Sequence, residues 1–372
     1  MDKQWLDLQG VSRMAEQAAT TGKEQEARID LVLEGGGVKG IALIGALSVL
    51  EERGFQTQNV AGASAGAIVA ALHSAGYTSA ELQEIIGELD YDRFKDRAWE
   101  DQIPFAGSYL SILKDRGIYE GNEFLKFMGG LLEDKGVRTF ADLIRDADED
   151  EARYRYKVQV IVSDITDRRL LVLPKDAPKL GKEPDDFVVA EAVRMSMSIP
   201  IFFEPVRFLN QDTGREHLLV DGGMLSNFPV WLFDSSSEPE WPTFGLLLVE
   251  PEPRTTTLAE RMPPVEASPG GIEAVVDYIK SLVWTMLEAH DRLYIEKADF
   301  ARTIAIDTLG VRTTEFDLTS EKALELYRSG RDAAERFLEA WSFKGYIAEF
   351  RRSREHSRRR EVAEQMTRAA MN

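Results

Sequence analysis

Apolar residues in this chain come in short, dense runs that glycines cut off. Ile29-Asp30-Leu31-Val32-Leu33 is the first such run, and its length predicts a buried strand rather than a helix. Positions 41–53 then predict a helix that stops at Gly54. Asn59-Val60-Ala61 predicts a second strand, and positions 65–74 a second helix closed by Gly76. Strand, glycine turn and helix, used twice in succession, predict an α/β fold with a parallel sheet. Further strands are expected at 157–163, 170–173, 216–220 and 244–249.

Elsewhere the pattern is looser. Residues 80–150 read mainly as helices and loops, with an acidic exposed turn at 146–151. Stretches 174–186 and 250–271 read as mobile loops. Ile272, Val275, Val276, Ile279, Leu282, Val283, Met286 and Leu287 recur at three- and four-residue steps, which predicts a long amphipathic helix. His290 continues that face as a packing histidine. Trp5, Leu6, Leu8, Val11 and Met14 give a weaker helical pattern in a polar N-terminus. The chain therefore divides into an N-terminal helical extension (1–28), a core (29–250) and a mainly helical C-terminal part packed on it (251–372). No repeat and no convincing linker interrupts it.

Composition narrows the function classes. A net charge of −19 argues against general nucleic-acid binding, which wants a basic surface. With no cysteines, thiolate metal sites, disulfides and a cysteine nucleophile are excluded. No apolar core of a secretory signal opens the chain, and the longest apolar stretch, 60–72, is too short to span a bilayer. A cytoplasmic protein is expected, peripheral to a membrane when active. The alternative is a secreted bacterial effector exported without a cleaved signal. Against the acidic background stand Arg351, Arg352, Arg354, Arg358, Arg359 and Arg360, either a solvated face or a contact for anionic headgroups or an acidic partner.

Three segments carry chemistry. Gly35, Gly37 and Gly40 fit G-x-G-x-x-G after a strand, but the acidic ribose-binding residue expected about twenty positions on is replaced by Gln56, Gln58 and Asn59. Nor is this a P-loop, because Lys39 is followed by Gly40 rather than serine or threonine. Read instead as an oxyanion hole, Gly35-Gly36-Gly37-Val38-Lys39-Gly40 leaves backbone amides bare beside a helix N-terminus, with Gly36 and Gly37 the expected donors. Gly62-Ala63-Ser64-Ala65-Gly66 is a G-x-S-x-G elbow in the required strand-to-helix context. As a base for Ser64, the four histidines fit poorly: His73 lies along the elbow helix, and His217 precedes Asp221 in reversed triad order. His290 and His356 have no motif to place them. Asp221-Gly222-Gly223, which ends the apolar run Leu218-Leu219-Val220, fits better.

In this order the three motifs resemble those of the patatin-like phospholipases: D/E-G-G-G-x-R/K-G at Glu34 to Gly40, G-x-S-x-G at Gly62 to Gly66, and D-G-G at Asp221 to Gly223. Arg194-Met195-Ser196-Met197-Ser198-Ile199-Pro200, with Phe203 and Pro205, looks like the family's intervening block, and Asn227 and Pro229 like its sequel. The resemblance covers residues 29–250. Lys39 stands where many members carry arginine, keeping charge but not a bidentate fork. It implies an α/β fold of three layers, a mainly parallel sheet covered by helices on both faces. It also implies a Ser64–Asp221 dyad without cofactor or metal, acting on acyl esters of phospholipids at a membrane surface. Activating partner and oligomeric state stay open. Two rivals are kept: an α/β-hydrolase-type esterase with a Ser-Asp-His triad through His217 or His290, and a catalytically silent lipid- or nucleotide-binding module.

Overall fold

The computed structural model describes residues 27–87, 117–146, 149, 152–235, 238–250 and 297–351, apart from isolated positions, and six positions within 278–286. The helix expected near the N-terminus, the loop 251–271, His290, His356 and the arginines beyond Arg351 lie outside the described residues. No helix among the described residues is long and apolar enough to cross a membrane.

The described residues hold ten strands: β1 (Ala27–Leu33), β2 (Phe55–Gly62), β3 (Gly117–Tyr119), β4 (Val158–Asp164), β5 (Arg169–Leu173), β6 (Ile201–Phe203), β7 (Val206–Leu209), β8 (Glu216–Asp221), β9 (Thr243–Val249) and β10 (Thr303–Asp307). Eight form one sheet in the order β10-β9-β1-β2-β4-β8-β7, with β5 paired to β4; β3 and β6 make a separate parallel pair. From β10 to β4 the pairing is parallel, while β5, β7 and β8 join antiparallel. The result is a mixed, mostly parallel sheet flanked by helices, the architecture expected from the alternating pattern.

The helices are α1 (Gly40–Glu52), α2 (Ala65–Ser74), α3 (Ser79–Gly87), α4 (Asn122–Asp134), α5 (Val189–Ser196) and α6 (Ser320–Ala340), besides shorter turns. Successive residues of a strand face opposite sides. Accordingly Leu31 and Leu33 join the main core with Leu43, Leu47 and Leu72, whereas Val32 joins a second cluster with Ala61, Ile161 and Leu247. That second face is covered by Phe228, Val230, Leu232 and Phe233.

Several elements depart from expectation. β10 lies in the C-terminal part, where no strand was expected, and pairs with β9 in parallel. Stretch 174–186 is a packed surface segment rather than a mobile loop: it holds a short turn, Ala177–Leu180, whose Ala177 and Leu180 are fully buried. Within 278–286, only Val283 of the expected apolar face is buried, against Ile199 and Ile201; Ile279, Leu282 and Met286 are 42%, 44% and 39% exposed. Arg351, taken with the basic C-terminal cluster, instead donates to the Ser235 carbonyl at 2.9 Å and pairs with Asp234. Its side chain is buried, which removes it from any headgroup-facing patch.

α1 and α6 cross with almost no space between backbones. A Cβ on Gly45 would sit 1.9 Å from the Tyr327 carbonyl oxygen, and one on Gly330 would sit 1.9 Å from that of Ala42. Backbone cannot yield as a flexible side chain does. Gly45→Val is therefore expected to lower unfolding free energy by about 3 kcal/mol, the upper end of ordinary overpacking costs, as read from urea denaturation.

Candidate active site

Ser64 sits at the turn between β2 and α2 with φ 51° and ψ −124°, a conformation that side-chain-bearing residues avoid. Such a residue costs on the order of 1–3 kcal/mol and persists only where its surroundings over-determine it. Here they do. A Cβ on Gly62 would lie 2.3 Å from the Gly66 carbonyl carbon, and one on Gly66 would lie 2.3 Å from the Leu33 carbonyl oxygen. Glycine at both positions lets β1, β2 and α2 meet backbone to backbone, as the elbow pattern requires. Ala63 and Ala65 between them are buried. The Ser64 amide donates to Ser196 Oγ at 2.9 Å, and that hydroxyl donates to the Ile161 carbonyl at 2.7 Å.

The glycine loop leaves β1 beside the elbow. A Cβ on Gly35 would meet Ser64 Cβ at 3.0 Å and Asn227 Oδ1 at 2.2 Å. Gly36 lies against Leu248, Gly37 takes φ 54°, and the turn Gly37–Lys39 feeds α1. Val38 and Lys39 are buried, and a Cβ on Gly40 would come within 3.2 Å of Ala65 Cβ, so the N-termini of α1 and α2 converge at Ser64. The Val38 amide donates to the Thr313 carbonyl at 3.3 Å. Among the described residues, the Gly36 and Gly37 amides have no acceptor.

Asp221 ends β8 opposite Val162 of β4, on the same edge of β4 where Gly62 of β2 lies opposite Val160; β5 takes the other edge. Its amide donates to the Ser198 carbonyl at 3.0 Å, and Oδ1 accepts from the Gly223 amide at 2.8 Å. A Cβ on Gly222 would sit 2.2 Å from the Ile161 carbonyl oxygen, so glycine is required there too. The carboxyl is fully buried, and burial pushes its pKa up to about 7 against the opposing pull of the Ser64 hydroxyl and the Gly223 amide. Oδ2 has no hydrogen-bond partner among the described residues.

Two residues outside the expected site lock these segments together. Asn227 Nδ2 donates to the Gly35 carbonyl at 2.9 Å and to Glu34 Oε1 at 3.3 Å, while the Gly35 amide donates to the Asn227 carbonyl at 3.2 Å. Ser196 joins the elbow to β4. Both were visible in the sequence as parts of blocks, but serine and asparagine carry no spacing signal for a positioning role. Thr313 had no signal at all.

The two described histidines, His73 and His217, are engaged elsewhere. His217 Nδ1 lies 2.9 Å from Asp164 Oδ2, both buried, so it is engaged at the far end of β8 from Asp221. His73 meets Thr57 at 3.1 Å, and burial lowers its pKa. Asp164, Asp167 and His217 bring metal-ligating atoms within 4.8 Å of one another. Arg169 lies 3.3 Å from Asp164 and 3.0 Å from Asp167, however, and Arg215 also pairs with Asp167, so cationic side chains already balance these carboxylates.

The model of the patatin-like phospholipase family matches residues 31–234. The chain belongs to that family. It is 40% identical over 315 residues to the uncharacterized protein YqhO of Bacillus subtilis, spanning 85% of this chain and 99% of the relative. A probable lipid hydrolase, 463L, of invertebrate iridescent virus 6 is 26% identical over 54% of this chain and 61% of its own length. Among solved structures, VipD from Legionella pneumophila shares the fold, with a TM-score of 0.50 at 18% identity over 88% of this chain and 72% of VipD. Membership makes this chain a lipid hydrolase of the patatin-like phospholipase family.

Ser196 gives a test of the elbow in this patatin-like hydrolase. Ser196→Ala leaves the Ser64 amide and the Ile161 carbonyl without a buried partner, at a cost of about 1–3 kcal/mol each. The variant should unfold earlier in denaturant and label more slowly with a serine-directed fluorophosphonate. Equal labelling rates would show that the Ser64 turn does not need this bond.

Proposed function

We propose that this protein is a serine acyl hydrolase of the phospholipase A or lysophospholipase type, working through a Ser64–Asp221 dyad. Ser64 Oγ adds to the ester carbonyl carbon as its proton passes to Asp221, and the carbonyl electron pair moves onto oxygen. The oxyanion is received by the Gly36 and Gly37 amides at the start of α1. On collapse the bond to the leaving oxygen breaks, and Asp221 returns the proton to that alkoxide. Water then repeats the sequence on the acyl-enzyme, with Asp221 again taking the proton.

The observation that carries this reading is the environment of Asp221: a fully buried carboxyl acted on by the Ser64 hydroxyl, with its pKa raised into the neutral range. A base is most useful with a pKa near the working pH. A triad through His217 is disfavoured because His217 is committed to Asp164. The substrate class, phospholipid at a membrane surface, is supported by the family and by the relative named a probable lipid hydrolase. The protein would act there as a peripheral enzyme without cofactor or metal.

Labelling with a fluorophosphonate followed by mass mapping tests the nucleophile. The adduct is expected on Ser64, with Ser64→Ala unlabelled and inactive on phospholipid. An adduct elsewhere, or full turnover by Ser64→Ala, would defeat the proposal.

The aspartate makes a separate prediction in two parts. As a base it must be ionised, so kcat/KM should rise with pH through about 7. Stability should run the other way. A folded pKa raised from 3.8 to about 7 means the folded state holds a proton that the unfolded chain releases. That contribution is complete below pH 3.8 and is lost as pH rises through 7. Asp221→Asn should therefore be nearly inactive at every pH, while its stability relative to the wild type grows between pH 4 and pH 8. Denaturation curves at the two pH values check the second part.

A further inference from the structure

The oxyanion loop is braced from outside the family-matched span of 31–234. Beyond β10 the chain turns through Leu309 (φ 54°) and Gly310 (φ 74°). The turn is firmly held. The Thr308 amide donates to the Val249 carbonyl at 2.9 Å, the Leu309 amide to Asp307 Oδ1 at 2.7 Å, and the Val311 amide to the Thr308 carbonyl at 2.9 Å. Ser329 of α6 donates to the Asp307 carbonyl at 2.7 Å, and Val311 is buried.

This anchored turn delivers Thr313 to the glycine loop. Its carbonyl accepts from the Val38 amide at 3.3 Å. A Cβ on Gly37 would lie 2.1 Å from that carbonyl oxygen and 2.9 Å from Thr313 Cγ2, so both atoms cover the Gly37 backbone. Leu248 does the same for Gly36. Three consecutive glycines form the least restricted backbone a chain can have. Hydrogen-bond donors aimed at a developing oxyanion are effective only when held in place beforehand.

We infer that Thr313 is a positioning residue for acyl transfer: it occupies the Val38 amide, covers Gly37, and holds the loop with the Gly36 and Gly37 amides as the two oxyanion donors. The inference rests on the dyad reading of the site. In that role Thr313 touches no substrate, and its loss raises the barrier more than it weakens substrate binding. The threonine methyl is separable from its carbonyl by substitution. Thr313→Gly removes the cover and frees the backbone, whereas Thr313→Val keeps a β-branched methyl at the same place.

The test compares wild type, Thr313→Gly and Thr313→Val on a soluble p-nitrophenyl ester and with a trifluoromethyl ketone as tetrahedral mimic. Thr313→Gly is expected to lose about tenfold or more in kcat, with KM changed less than about twofold and affinity for the mimic reduced in proportion to kcat. Thr313→Val should remain close to wild type in all three. Wild-type kcat and mimic affinity in Thr313→Gly would overturn the brace, as would equal impairment of both variants. Fluorophosphonate labelling of Ser64 in the wild type keeps the two levels apart: a wild type that does not label there overturns the dyad reading, and the inference with it.

Discussion

The site depends on backbones that touch where no side chain can intervene. Gly62, Gly66 and Gly222 each leave less than 2.4 Å between a would-be Cβ and a neighbouring backbone atom. Gly62 and Gly66 bring the ends of β1 and β2 to the start of α2, and Gly222 seats the end of β8 on Ile161 of β4. Non-bonded approaches this close leave no room for a side chain, so the relative positions of Ser64, the glycine loop and Asp221 have little latitude. α1 and α6 repeat the device at Gly45 and Gly330, which ties the C-terminal helix to the helix that opens at the glycine loop.

Block 194–198 converts that proximity into a fixed geometry. Ser196 Oγ takes the Ser64 amide, and the Ser198 carbonyl takes the Asp221 amide. Both residues are fully buried, and Arg194 donates to the Ser198 hydroxyl. One short stretch at the end of α5 thus holds both members of the pair through their main chains. A strained turn at Ser64 survives because its amide is satisfied in the strained conformation and would be left unpaired by relaxing.

Much of this was legible before any coordinates. The glycine loop, the elbow and Asp221-Gly222-Gly223 could be found because each requires residue types that backbone geometry dictates, and six expected strands have counterparts in the fold. What stayed hidden has a common cause. β10 and the turn after it are short, and the Thr313 carbonyl that accepts from the Val38 amide is a group every residue possesses. β3 and β6 are three residues each, too short for alternation to register. Pattern reading detects side-chain periodicity, and these contacts are made by backbone.

Burial of a carboxyl is not itself a mark of this site. Asp30, on β1, is also buried, and desolvation pushes its pKa up to about 7 as well. Its partners are the Asn59 amide at 3.2 Å and the Trp241 side chain, groups that stabilise a charge but present nothing to deprotonate. Asp221 differs in what surrounds it: one oxygen is fixed by Gly223, the other is left without a close partner, and a serine hydroxyl acts on the carboxyl from a turn that cannot relax. In the proposed dyad, the desolvation that Asp30 shares would serve Asp221 as a base, because there a serine hydroxyl acts on the buried carboxyl.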